Sequence, residues 1–535
     1  MPTTYSYPGV YVEEVPSGVR TIAGVSTSDT AFVDFFPRGL MNEAVRITSW
    51  GDFEREYGGL DARSEASYAI QQYYKNGGQI AWVVRVAAGN PAAAGIVLPG
   101  GSPEQDALRV EAASPGVWGN NLQVGIDYRT SDPATLFNLV VREVRVVNGR
   151  STVVDSEVHR NLSMDTGHVR FVQDTVDRAS RLIRITDVGL GDRPLETDAD
   201  ATSPAVVSDA ASAAFTPLGA LPDDLPGPST IAASDGTVPD SGALIAGMRA
   251  LDGIAPHVFN LLCLPGAAAL GDAAHFTVLA DAQAYCLDRR AFLLVDIPEE
   301  VATPAAMTTW LAAAEANGLR SRNAAVYFPR LEIPDRLRED RPRNVGASGT
   351  LAGLYARTDS ARGVWKAPAG TDATLVGASL ATRITDAENG ALNPLGVNAL
   401  RTFPIYGGVA WGARTLEGAD QQASEWKYVP VRRLALYLEE SLSQGLKWVV
   451  FEPNDEPLWG QIRLNVSGFM QNLFRQGAFQ GKTPREAYLV KCDAETTTQL
   501  DIDRGIVNIV VGFAPLKPAE FVVIRIQQLA GQTQA

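Results

Sequence analysis

Trp426-Lys-Tyr-Val-Pro-Val-Arg-Arg433, Val449-Val-Phe-Glu-Pro-Asn-Asp455, Gly477-Ala-Phe-Gln-Gly-Lys-Thr-Pro484 and Ala514-Pro-Leu-Lys-Pro-Ala-Glu-Phe-Val-Val-Ile-Arg-Ile526 follow one another in the last 125 residues. Two amphipathic helices are written between them. Val431, Leu434, Leu438 and Leu442 fall on one stripe that Gly445 ends, and Leu458, Trp459, Ile462, Val466, Phe469, Met470 and Leu473 hold one face for four turns. Trp448–Phe451, Tyr488–Cys492, Ile506–Val511 and Phe521–Ile526 have the composition of strands. Pro515 and Pro518 set the last of these apart from its predecessor.

This ordered set, together with Trp411-Gly-Ala-Arg-Thr415, resembles the carboxy-terminal domain of contractile tail sheath proteins, the subunits of the contracting cylinder in contractile bacteriophages and phage-derived injection systems. Upstream, Tyr7-Pro-Gly-Val-Tyr-Val-Glu-Glu14, Gly24-Val-Ser-Thr-Ser28, Ser114-Pro-Gly-Val-Trp-Gly-Asn120 and Ala352-Gly-Leu-Tyr-Ala-Arg-Thr-Asp359 are similar to further segments of that family. About half of the chain is covered, and roughly 125–235 matches no family segment. The resemblance implies a helical homopolymer of stacked hexameric rings around an inner tube, grown from a baseplate and capped by tail terminator proteins. It also implies that each subunit lends terminal strands to its neighbours, and that contraction drives the tube through a target envelope.

Composition agrees with a large assembly protein. A chain of 535 residues exceeds one core and predicts several domains. A net charge of −15 opposes general nucleic-acid binding, which needs clustered Lys and Arg. Three cysteines, Cys263, Cys286 and Cys492, make no disulfide framework. Met1-Pro-Thr-Thr is polar, and no window approaches the ~18 apolar residues that span a bilayer. The expectation is assembly in the bacterial cytoplasm into a phage tail or tail-like particle, with neither membrane insertion nor a cofactor.

The chain divides, as a sequence, into an extended arm (1–22), a first core part (23–88), a β-rich surface insertion (89–235), an α/β domain (236–345), a terminal core domain (346–514) and a strand arm (515–535). The expected fold class is therefore mixed α/β and α+β, a multidomain α/β sheath core with a β-rich insertion and two strand arms. Alternating strands (His257–Leu264, Phe292–Ile297, Ala324–Phe328) and helices (273–287, 304–316) predict a parallel sheet. Ala87–Pro103 and Thr197–Thr230 are rich in small residues, and predict flexible leads to the insertion. Asn148-Gly149 between β-rich runs predicts a hairpin.

Catalytic motifs fail on spacing. Gly477–Thr483 has three residues between its glycines where a phosphate loop needs four, and follows a helix where a strand is required. Thr483-Pro484-Arg485-Glu486 predicts a helix start with a capping box. Phe292-Leu-Leu-Val-Asp296 has the look of a magnesium-holding strand but stands some 180 residues ahead of that loop. His159, His168, His257 and His275 lack metal-ligand spacing. An α/β enzyme with an accessory domain is the rival reading, and a cell-surface array protein a third.

Two sets of contact residues are expected. Val10, Tyr11 and Val12 at one end, and Phe521, Val522, Val523, Ile524 and Ile526 at the other, are isolated apolar strands that need a partner sheet. From Pro457 to Arg485 no acidic residue occurs, so Arg463, Arg475 and Lys482 are candidates for contact with an acidic inner tube.

Overall fold

The computed structural model describes residues 20–101, 106–189, 192–219 and 230–525. These fall into two compact units: a larger one of Ser28–Ala361 with Pro368–Val429, and a smaller one holding 20–27, 362–367 and 430–525.

In the larger unit eight strands form one sheet: β1 Thr30–Asp34, β2 Ala44–Ile47, β3 Ala81–Arg85, β4 Leu261–Cys263, β5 Phe292–Val295, β6 Ala324–Phe328, β7 Val397–Phe403 and β8 Gly407–Ala410. Their order is β8-β7-β6-β5-β4-β1-β3-β2. The six inner strands run parallel, and the two edge strands pair antiparallel. The inner strands are mostly apolar because helices cover both faces. Ala31, Val33, Leu262, Leu293 and Val326 share a core with Leu279 and Ala282 of the helix Asp272–Asp288 and with Met307, Trp310 and Leu311 of the helix Pro304–Ala316. On the opposite face, Phe32 meets Tyr73 of the helix Glu65–Lys75 edge to face at 5.6 Å. That helix lies hard against Ser348–Arg362, where a Cβ on Gly349 would come within 2.2 Å of the Ala69 carbonyl oxygen. The parallel α/β expectation holds. Two of the strands, β7 and β8, come from the stretch that the sequence places in the terminal domain.

The insertion holds two four-stranded antiparallel sheets on one core. One is ordered 216–217, 122–127, 136–147, 150–163, and the other 230–231, 95–99, 106–112, 183–188. Leu108, Val110, Leu122, Val124, Phe137, Leu139 and Ile183 meet inside. Asn148 (φ +52°) and Gly149 (φ +75°) turn the long hairpin, a conformation that glycine and asparagine tolerate best.

Where they are described, the two leads to the insertion are paired; residues 102–103 and 220–229 of them lie outside the described residues. Gly95–Pro99 pairs with Thr230–Ile231, and bridges join Ala88 to Thr237 and Ala92 to Ser234, so entry and exit run side by side. Residues 206–212 are tied down by Arg142, whose guanidinium donates to the carbonyls of Val206, Val207, Asp209 and Ser212. The base of the insertion also packs on the core: Arg85 donates to the carbonyls of Gly39 and Pro115 at 2.8 and 2.6 Å, and Arg38 lies 4.2 Å over Trp118. Small residues in sequence hid the backbone pairing of entry with exit, because those partners are more than a hundred residues apart.

Candidate functional site

In the smaller unit, Val429–Gly445 and Glu456–Arg475 are helices, as their stripes predict. Leu434, Leu438, Leu458, Ile462, Val466, Phe469, Met470 and Leu473 form its core with Ile22 and Val364. Residues 20–27 are sewn to it. The Arg20 amide donates to Asn465 Oδ1 (3.2 Å) and the Val25 amide to Ser441 Oγ (3.2 Å), while Arg433 donates to the Thr27 carbonyl (2.8 Å). Ile22 is buried, and Arg20 lies 4.7 Å over Trp448.

Against this core lies a two-stranded ribbon, Tyr488–Lys491 antiparallel to Val510–Phe513. Tyr488 pairs with Phe513 and Val490 with Val511, and these four side chains face the core. Leu489 and Val510 are exposed. Among the described residues neither strand has a second ladder neighbour. A two-stranded ribbon is marginal alone, and an edge without a ladder partner is a template for another strand.

The last described residues supply an apolar run without a home. Phe521, Val522, Val523 and Ile524 are 76–81% exposed and belong to no strand. Ile526, like Val10, Tyr11 and Val12 of the other arm, lies outside the described residues. Two further strand expectations are corrected. Ile506–Val511 is displaced to Val510–Phe513, and Trp448–Phe451 is a 3-10 turn over Lys447–Val449 followed by an exposed loop. Trp448 packs inward beside Val449, so the apolar run bends rather than alternates across a sheet.

The basic strip is divided. Arg463 is engaged by Glu456 (2.6 Å) and by the Cys492 carbonyl. Arg475 and Lys482 are exposed, and so is Arg485. Around Gly477–Thr483 no phosphate cradle forms: Gly477 (φ +81°) ends the helix, and the Gln480 amide donates to the Ala514 carbonyl. Thr483 begins a helix at Pro484, but its side chain caps nothing; the Glu486 carboxylate accepts instead from the Lys482 amide (2.8 Å), so the expected capping box is absent.

The place where a doubly wound sheet binds ligands is the crevice at which strand order reverses, here between β1 and β4. It is filled. Asp34, at the end of β1, accepts from the amides of Phe35 and Ala66, both at 2.8 Å. Asp296, after β5, accepts from the Ser348 amide (2.9 Å) and hydroxyl (2.5 Å). Both acids are buried, and each accepts from the amino-terminal turn of a helix. Burial raises both pKa values, Asp34 to about 7. Glycines close the space: a Cβ on Gly266 or Gly346 would lie 2.4 Å from Asp34 or Asp296. Among the described residues no cluster of His, Cys, Asp and Glu could hold a metal, and no helix is long and apolar enough to cross a membrane.

Fold and terminal domain each have counterparts among known proteins. Residues 421–528 match the family described as phage tail sheath C-terminal domain. A tail sheath protein of Vibrio phage KVP40 (isolate Vibrio parahaemolyticus/Japan/Matsuzaki/1991) is 30% identical over 187 residues, 35% of this chain. The match spans about a quarter (26%) of that relative's length. Among solved structures, the sheath of an extracellular contractile injection system (PVC) in its contracted state has a TM-score of 0.56, with 21% identity, covering 98% of both chains. The contracted helical sheath of the anti-feeding prophage gives a TM-score of 0.55, 23% identity and coverage of 98% and 100%. The Listeria innocua sheath tail protein gives 0.55, 13% identity and coverage of 93% and 96%. The resemblance read from the sequence is thereby shown for the terminal domain, where residues 421–528 match that family, and the chain as a whole shares its fold with these sheath structures.

Proposed function

We propose that this chain is the structural subunit of a contractile sheath, polymerising as stacked hexameric rings around an inner tube, and that its contraction drives the tube through a target envelope. The observation that carries this reading is a ribbon whose strands have no further ladder neighbour among the described residues, in a unit whose last described residues form an exposed apolar run. Val10–Val12 of one neighbour and Phe521–Ile526 of another supply strands to those edges. In the terminal run, Val522, Ile524 and Ile526 alternate with Phe521, Val523 and Arg525, so one set extends the core-facing side of the ribbon. Four to six main-chain hydrogen bonds, at roughly 1 kcal/mol net apiece, add to the buried apolar area of each strand. Repetition through a lattice makes such links multivalent.

Contacts that run head to tail without closing generate helices. Strand exchange holds subunits together while other interfaces re-form, so shortening draws on the difference between two packings and needs no nucleotide. The role is structural rather than enzymatic. An inner tube, a baseplate and a tail terminator are the partners, with assembly in the bacterial cytoplasm. Electron microscopy of the full chain produced with and without a tube protein tests the reading. Tubes or stacked rings are expected; discrete monomers in both conditions would contradict it.

A further inference from the structure

Phe451 is the most exposed large apolar residue of the described chain, and its backbone is left-handed (φ +71°). An aromatic L-residue is strained there, and such strain persists only where the surroundings impose it. They do so from both sides. Before it, the Val449 amide donates to the Leu446 carbonyl (3.0 Å), and Trp448 packs against the core. After it, Asn454 accepts from Trp459 Nε1 (2.8 Å) and donates to the Ile506 carbonyl (2.9 Å), and Asp455 caps the helix Glu456–Arg475. The loop between these anchors holds Val450 and Phe451 out in solvent, next to the exposed acids Glu452 and Asp455 in sequence. Rigid aromatic residues of this kind are the usual anchors of protein contacts.

The complementary surface is on the same unit. The helix has 20 residues, a length of about 30 Å. Its far end and the turn beyond carry exposed Arg475, Lys482 and Arg485, which form no ion pair among the described residues. Attraction to the helix dipole explains Asp455 and Glu456 at one end and Arg475 at the other. It explains neither Lys482 and Arg485 nor the display of Phe451. One end is apolar with an acidic rim, and the other offers guanidinium groups, which stack on aromatic faces.

We propose that the Val450–Phe451 turn of one copy docks among Arg475, Lys482 and Arg485 of the next, a head-to-tail contact along successive terminal domains. The contact rests on the polymer reading and deepens it. Its two surfaces are different patches, so repetition builds an open filament rather than a closed pair. The inner tube, the partner that the sequence suggests for this basic strip, is the rival occupant.

The test places a photo-crosslinking benzophenone amino acid at position 451 of the full chain, with and without tube protein. Peptides from 471–489 of a second copy are the expected partners. Crosslinks to the tube alone, or to other parts of a second copy, would overturn the assignment. In parallel, Phe451→Gly relieves the left-handed strain. It is expected to leave the monomer as heat-stable or more so, and to raise the concentration needed for polymerisation at least tenfold. Arg475→Glu with Arg485→Glu should do the same to assembly. Polymerisation at the wild-type concentration in both variants would refute the contact. A wild-type chain that forms no polymer would strike the sheath reading instead. Crosslinks read on transient dimers then still decide the contact, and their absence refutes it.

Discussion

The Asp34 carboxylate receives the Ala66 amide at 2.8 Å and thereby fixes the first turn of the helix Glu65–Lys75 to the end of a central strand. The carboxyl is buried, and desolvation outweighs its hydrogen bonds, raising its pKa from 3.8 to about 7. Nearby Glu65 pushes in the same direction. The folded state therefore holds a proton that the unfolded chain releases near pH 4. Stability from this site is full below pH 4 and declines as pH rises toward 7. Linkage puts the full loss at roughly 4 kcal/mol. Melting temperature should fall between pH 4 and pH 7, and Asp34→Asn should flatten that slope in calorimetry. Asp296, raised in the same sense by burial, leaves a residual slope. An unchanged slope in the variant would place the titration elsewhere.

Helix packing makes a second, sharper demand. Gly349→Ala puts a methyl 2.2 Å from the Ala69 carbonyl oxygen, and Gly353→Ala puts one 2.4 Å from that of Tyr73. Backbone cannot yield as a side chain does, so each should cost about 2 kcal/mol or more in denaturant melts. Gly468→Ala is the control. It lies in the helix Glu456–Arg475 with nothing within 4 Å of the new methyl, and should be neutral or stabilising by up to about 1 kcal/mol. Equal effects at the three positions would contradict the packing.

Local signals were legible and long-range ones were not. The stripe from Leu458 to Leu473 and the runs at 292–295 and 324–328 specify their elements through periodicity and composition alone. Trp448–Phe451 has a strand's composition, yet the inward tryptophan and the fixed Asn454 bend it into a turn. The pairing of 95–99 with 230–231 left no trace in either segment. Asp296 attracted notice as a possible metal ligand; only Ser348, 52 residues on, reveals it as a cap. The exposed Phe451 was invisible because the run Trp448–Phe451 that holds it is apolar throughout.

The paired stems of the insertion make its removal a defined experiment. Replacing residues 93–233 with a short Gly/Ser linker keeps the Ala92–Ser234 bridge as a closure. It also removes the Pro115 carbonyl, one of two acceptors of Arg85, whose pKa burial already lowers to about 10. The deletion alone should destabilise the larger unit by roughly 1–3 kcal/mol, through the unsatisfied guanidinium. Adding Arg85→Leu should recover part of that. Light scattering and microscopy should then find polymers with the insertion gone. Folded monomers that do not polymerise would show that the insertion joins subunits.

Strand exchange is the central claim, and truncation reads it directly. Residues 20–27 are held by Asn465, Ser441 and Arg433, so a chain lacking 1–18 keeps every contact described for that segment. A chain ending at Ala519 likewise keeps the ribbon, which closes at Phe513. Each truncated protein should melt cooperatively, with a melting temperature within a few degrees of the full chain, and sediment as a monomer at concentrations where the full chain forms tubes. Tubes formed by either truncated chain would contradict strand exchange.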